Sequence, residues 1–387
     1  EKIFLIQMAL FAAGVATIIQ TVGYKEVGSR LPIIQGTSFA FIPIMLPFKA
    51  FGLGAIFTAA FIGGIFQIFI GKMLKPIRHM FPPLVTGIVV LMIGISLLKV
   101  GFKYAGGGVW LMNNKPEIFA NWHHLTIAGT VLIVALLTNL KGRGMVSAAS
   151  ILIGIIAGFI VAAMFGEVRW EKIAAADWFA LPMPLQYGID FVWGAVILML
   201  FMSIVTTIET IGDISATTMG GDNREATNKE LSGGIMADGV GTAFASIFNA
   251  MPNTSYSQNA GLVAFTGVIS RHVGTVAGII LILLGLFPKL GGIIAAMPDS
   301  VIGGAAIIMF GLIAGAGIKL ISKSEMSQRN ILILSLSLSF GIGLYAFPEF
   351  VAHVPDLGIK LGLLLTTGLI PAGLLAFILN AILPKKN

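Results

Sequence analysis

Cysteine is absent from this chain of 387 residues, which excludes a disulfide framework and any thiol chemistry. Charge is scarce as well. Asp, Glu, Lys and Arg make up 11% of the sequence, less than half the roughly 25% of an ordinary soluble domain. The five histidines, at positions 79, 123, 124, 272 and 353, are scattered near expected helix ends and loops, so the sequence offers no metal-ligand cluster and implies no cofactor. It also lacks the nucleophile constellations of an enzyme. What fills the chain is apolar: 57% of its residues are hydrophobic and the mean hydropathy is +0.96. We read an all-α polytopic membrane protein, embedded in a lipid bilayer. Basic cytoplasmic loops then account for the net charge of +7, and no nucleic-acid partner is implied.

Thirteen apolar segments can be traced, at roughly 3–23, 32–48, 52–71, 82–101, 124–140, 145–165, 191–211, 231–250, 258–269, 273–295, 298–318, 329–346 and 361–383. The second and ninth are short, and each adjoins a polar run, Gln35-Gly-Thr-Ser38 and Asn253-Thr-Ser-Tyr-Ser257. A helix rises ~1.5 Å per residue, so the dozen residues from Gln258 onward would cross roughly half of a ~30 Å hydrocarbon core. Each is expected to be a short extended piece followed by a half-helix. Irregular backbone survives at that depth only when buried in protein or lining a cavity, so the two breaks are expected to line a site.

The chain also repeats. Val85-x-Gly87-x4-Met92-x-Gly94 in the fourth segment returns as Ile302-x-Gly304-x4-Met309-x-Gly311 in the eleventh, and the two broken segments fall in matching places. A displacement of seven crossings inverts the second copy, which gives a 7+7 inverted-repeat transporter architecture with its site at the repeat interface. Two sevens make fourteen, so one further helix is expected before residue 1. With residue 1 on the outer side, the inner loops hold 15 of the 24 lysines and arginines, including Lys75, Arg78, Lys385 and Lys386. Trp110, Trp122, Trp170 and Trp178 fall in the outer loops, where tryptophan anchors membrane interfaces.

A carboxylate inside a membrane costs several kcal/mol, roughly 2.5–3.5 on insertion scales, so each one calls for a reason. Three of the acids lie in apolar segments: Glu209, Asp213 and Asp238. Glu209 and Asp213 are four apart and share a helix face, which suits a proton-binding site or two side chains reaching water near a helix end. Asp238, among glycines, is read either as a local backbone acceptor or as a proton-coupling group. Half-helix starts leave backbone N–H groups free, here near Phe39 and at Ala260–Gly261. Gln258 sets a carbonyl acceptor beside an NH2 donor, the pattern of a planar amide-like ring edge, and Glu209 can accept from ring N–H groups. Phe39 can stack on a flat ligand.

Gln258-Asn259-x-Gly261-x4-Thr266-Gly267 resembles the signature of the nucleobase–ascorbate transporters, also called nucleobase–cation symporter-2, and the likeness continues through Gly36-Thr-Ser-Phe-Ala-Phe41, Glu209-Thr-Ile-Gly-Asp213 and Ala237-Asp-Gly239. The resemblance implies a homodimeric inner-membrane symporter that takes up a purine base with a proton by an elevator movement. It implies core parts at 1–81 and 191–297 and gate parts at 82–190 and 298–387. Glu209 and Gln258 would hold the base, with Phe39 stacking and the backbone of Ser38, Phe39 and Asn259 contributing. Asp213, Asp238 and Asn259 would support affinity or proton coupling, and Thr266 and Gly267 selectivity. Gln at 258, where uracil carriers commonly have Glu, resembles the xanthine and uric acid branch. The family's Gln-His pair belongs to the helix expected before residue 1. Alternatives are a uracil or other nucleobase symporter, and a bicarbonate- or sulfate-type anion exchanger on the same architecture. Glu209 argues against the exchanger.

Overall fold

In apolar surroundings every backbone N–H and C=O must find a partner within the protein, and this chain meets that demand with helices almost throughout. The computed structural model describes residues 1–73, 82–353, 362 and 365–384. His79, Lys75, Arg78, Lys385, Lys386, the start of the segment at 361–383 and the side chain of Gln258 lie outside the described set.

The chain opens with α1 (Lys2–Val22) and strand β1 (Gln35–Thr37), followed by 3-10 turns at Phe39–Phe41 and Leu46–Phe51 around the single turn α2 (Ile42–Met45). Then come α3 (Leu53–Lys72), α4 (Pro83–Ala105), the short α5 (Val109–Asn114), α6 (Trp122–Lys141), α7 (Met145–Ala148), α8 (Ser150–Met164) and α9 (Trp170–Ala174). The second half holds α10 (Trp193–Asp222), α11 (Asn228–Ile247), β2 (Asn253–Ser255), α12 (Ser257–Thr266), α13 (Arg271–Gly285), α14 (Pro288–Ala296), α15 (Asp299–Ile321), α16 (Gln328–Ala346), α17 (Glu349–Ala352) and α18 (Leu369–Ile382). Among the described residues, seven helices are long and apolar enough to cross a membrane.

Two differences from the sequence reading matter. The segment at 273–295 is not one rod: α13 and α14 meet at 79°, because Pro288 opens α14 without an N–H to continue the earlier ladder. The segment at 191–211 extends eleven residues further, to Asp222, and ends only where Asn223 turns left-handed at φ 53°. Trp110, Trp122, Trp170 and Trp178 are exposed, and Trp110 and Trp170 sit on the short helices α5 and α9.

Internal packing divides the chain into two units. The first comprises Glu1–Phe41, Phe48–Lys75 and Ile133–Pro298. Small residues let its helices touch backbone to backbone. A Cβ on Gly64 of α3 would lie 2.6 Å from the Gly239 carbonyl of α11, and one on Gly14 of α1 equally close to the Gly278 carbonyl of α13. Met8, Ala12, Ala245 and Ala250 form one apolar cluster of this unit. The second unit comprises Ile42–Pro47, Pro76–Leu132 and Asp299–Asn387, and its centre is the antiparallel pair α4 and α15. There Gly94 abuts the Ala314 backbone, and the Tyr345 hydroxyl of α16 donates to the Ser96 carbonyl at 2.6 Å.

Candidate functional site

The two broken segments meet in the first unit. β1 and β2 pair antiparallel, with Gln35 opposite Ser255, Gly36 opposite Thr254 and Thr37 opposite Asn253. Alternate residues of such a ribbon turn their backbone groups inward to the partner strand and outward from it. The ribbon continues beyond the strands, with the Ser38 N–H donating to the Pro252 carbonyl and the Tyr256 N–H to the Ile34 carbonyl, each at 3.0 Å. The outward groups find other partners. Thr17 of α1 takes those of Gln35, and Thr242 of α11 takes those of Asn253. The Ser255 N–H reaches Asp238, and the Tyr256 hydroxyl donates to the Thr37 carbonyl at 3.4 Å.

Two carboxylates, Asp238 and Asp213, bond this ribbon, and a third, Glu209, lies near them. Asp238 is fully buried and accepts from Gln35 Nε2, from the Thr210 hydroxyl, and from the Thr254 hydroxyl at 3.4 Å. One side chain thus ties α10, α11, β1 and β2 together. One of the two readings of Asp238, a local backbone acceptor, calls for partners nearby in the chain. The side-chain donors come instead from Gln35, 203 residues away, and from two threonines. Asp213 is buried and accepts from the Ser255 hydroxyl at 2.7 Å. Glu209, half-buried, lies within electrostatic reach of both aspartates, and no described side chain donates a hydrogen bond to it. It sits 13 residues before the end of α10, about 20 Å along the axis at the usual rise, so it does not reach water from a helix terminus.

The remaining site residues fall into two groups. Ser38 is buried, and its hydroxyl accepts from the Ala40 N–H at 3.2 Å. Phe39 opens the 3-10 turn that follows β1. Gln258, Asn259 and Ala260 occupy the first turn of α12. The Asn259 N–H is taken up by the Tyr256 carbonyl at 3.0 Å, while its side chain donates to the Pro32 carbonyl just before β1. Thr266 and Gly267 lie apart, at the other end of α12, about 12 Å along the helix from Gln258. Thr266 is exposed and bonds the Leu262 carbonyl at 2.8 Å, and Gly267 caps the helix at φ 66°. Among the described residues no group of three His, Cys, Asp or Glu could hold a metal.

Sequence reasoning missed Thr17, Gln67, Thr206, Thr210 and Thr242. Threonine and glutamine within an apolar helix read as neutral filler until their partners are known. Here Gln67 Nε2 reaches Thr206 at 3.5 Å, and Thr210 bonds Asp238.

The turn between the two carboxylate-bearing helices is fastened by charge. Arg224 forks onto Glu230 at 2.9 and 2.6 Å and also bonds Asp222 at 3.1 Å. Glu230 completes a capping box with Thr227 at the start of α11. The guanidinium holds the Glu230 carboxyl down from 4.5 to about 2. A depressed folded-state pKa contributes stability above the unfolded value, and that stability disappears as pH falls toward the folded one. Glu230→Gln is therefore expected to lower the unfolding temperature of the purified protein at pH 7, with the gap to wild type narrowing below pH 4.5. A gap independent of pH would contradict this.

Helices suited to crossing a membrane, two interrupted spans joined as a ribbon and carboxylates gathered around it define a membrane permease. Comparison with known proteins makes the class specific. The family model described as "Permease family" (Xan_ur_permease) matches residues 2–350. The xanthine permease XanP of Escherichia coli (strain K12) is 35% identical over 397 residues, covering 99% of this chain and 85% of XanP. The uric acid permease PucJ of Bacillus subtilis (strain 168) is 32% identical over 382 residues, covering 97% and 84%. The transmembrane domain of the cyanobacterial bicarbonate transporter BicA shares the fold, with a TM-score of 0.60 at 18% identity over 86% of this chain and 90% of that domain. The chain belongs to the xanthine/uric acid permease family, that is, the nucleobase–ascorbate transporters, and is a multi-pass membrane protein.

Proposed function

We propose that the protein is a proton-coupled importer of an oxopurine base, xanthine or uric acid, in the cytoplasmic (inner) membrane. The observation that carries the reading is Glu209: a half-buried carboxylate within electrostatic reach of Asp213 and Asp238, the two aspartates that hold the ribbon of the broken spans, with no donor among the described side chains. A purine base offers ring N–H groups to such an acceptor. The 35% and 32% identity to a xanthine and a uric acid permease supports that substrate class. In this reading Gln258 meets the ring edge, Phe39 stacks, Ser38, Asn259 and Ala260 shape the pocket, and Thr266 and Gly267 tune selectivity. Asp213 and Asp238 support proton coupling. The two halves form inverted repeats of seven segments. The core, 1–81 and 191–297, slides as an elevator against the gate, 82–190 and 298–387, within a homodimer.

The test is uptake of radiolabelled xanthine by cells expressing the protein, competed with urate, hypoxanthine and uracil, with and without a protonophore. Saturable xanthine uptake, competed by urate and abolished by the protonophore, is expected. Absence of xanthine uptake, or uptake indifferent to the protonophore, would overturn the reading.

A further inference from the structure

The strands of the two broken spans are each held by one threonine in the same manner. The Thr17 hydroxyl accepts from the Gln35 N–H at 3.0 Å and donates to the Gln35 carbonyl at 3.3 Å. The Thr242 hydroxyl accepts from the Asn253 N–H at 3.1 Å and donates to the Asn253 carbonyl at 2.9 Å. Gln35 and Asn253 are the first residues of their strands, and all four residues are buried. In both cases a single hydroxyl exchanges two hydrogen bonds with one residue, as a neighbouring strand would at a paired position of an antiparallel ladder.

A ribbon of three residue pairs is poorly defended against slippage. Its register is normally fixed by one apolar face and one polar face, yet these strands, Gln-Gly-Thr and Asn-Thr-Ser, are polar on both. A slip of one residue would shift a strand by about 3.3 Å and turn its side chains to the opposite face. The helical turns that follow begin only two residues beyond each strand, at Phe39 and Ser257, so they would shift with it. Both strands are also anchored by side chains, β1 through Gln35 on Asp238 and β2 through Thr254 on Asp238 and Ser255 on Asp213, but only the two threonine clamps hold the backbone groups of Gln35 and Asn253.

We infer that Thr17 and Thr242 are paired positioning residues whose hydroxyls lock the register of the two broken spans and so set the geometry of the purine site; the second half of this statement rests on the proposed function. The test compares Thr17→Val and Thr242→Val, which keep the shape and lose the hydroxyl, with Thr17→Ser and Thr242→Ser, which keep it. Amide hydrogen exchange of the purified protein reads the clamp directly. In the wild type, the Gln35 and Asn253 amides should exchange as slowly as those of Gly36 and Thr254. The Val variants should exchange faster over 35–37 or 253–255 respectively, and the Ser variants like wild type. In uptake, the Val variants should raise the xanthine KM about tenfold, the equivalent of about 1.4 kcal/mol for the lost bonds, with Vmax nearly unchanged and Ser restoring KM. Fast exchange of the two amides in the wild type would overturn the inference without any variant needing to fold. Val and Ser variants that behave alike would overturn it too. A wild type that exchanges slowly but takes up no xanthine would sink the assigned substrate and leave the clamps standing.

Discussion

Glu209→Gln is expected to abolish xanthine uptake while the protein still reaches the membrane in normal amount. Glutamine conserves the volume, so the half-buried position in α10 remains filled. What disappears is the charge and one of the two acceptor oxygens. A hydrogen bond to a charged group contributes about 1.5–3 kcal/mol, so weakening two from a purine ring costs about 3 kcal/mol or more, roughly a hundredfold in affinity. Uptake assays with matched membrane levels decide the matter: normal uptake by this variant would remove Glu209 from the site. Its neighbours would not compensate, because Asp213 is engaged by Ser255 and Asp238 by Gln35, Thr210 and Thr254.

The second large effect is on the fold. Asp238→Asn replaces an acceptor-only carboxylate by a group that must donate from one end. The Gln35 amide, the hydroxyls of Thr210 and Thr254 and the Ser255 N–H all point at this carboxylate. Each buried donor left without an acceptor costs about 1–3 kcal/mol, and the NH2 end of an asparagine offers no acceptor to the donors that face it. Thermal unfolding of the detergent-solubilised protein should show Asp238→Asn markedly less stable than wild type and than Glu209→Gln. Equal unfolding temperatures for wild type and Asp238→Asn would show that the knot contributes little.

The positions of the apolar segments, the two breaks and the three carboxylates within them could be read from the chain because each is a local property. Hydropathy summed over some twenty residues marks a helix. A polar run inside an apolar one marks a break, as at Gln35–Ser38 and Asn253–Ser257. Where the local pattern is ambiguous, the structure departs from it. Pro288 between two apolar stretches reads as part of one helix, and Asp213 with several threonines lowers the hydropathy past 211, so the pattern ends eleven residues before α10 does. Only the tertiary structure decided what the polar residues do. That Gln35 meets Asp238 across 203 residues, that β1 lies against β2, and that two threonines stand in for missing strands are pairings set by register and helix packing. Sequence determines that a buried polar group needs a partner. Which partner it finds depends on which backbones approach, and that is fixed by close contacts such as Gly64 with Gly239 that no single segment encodes.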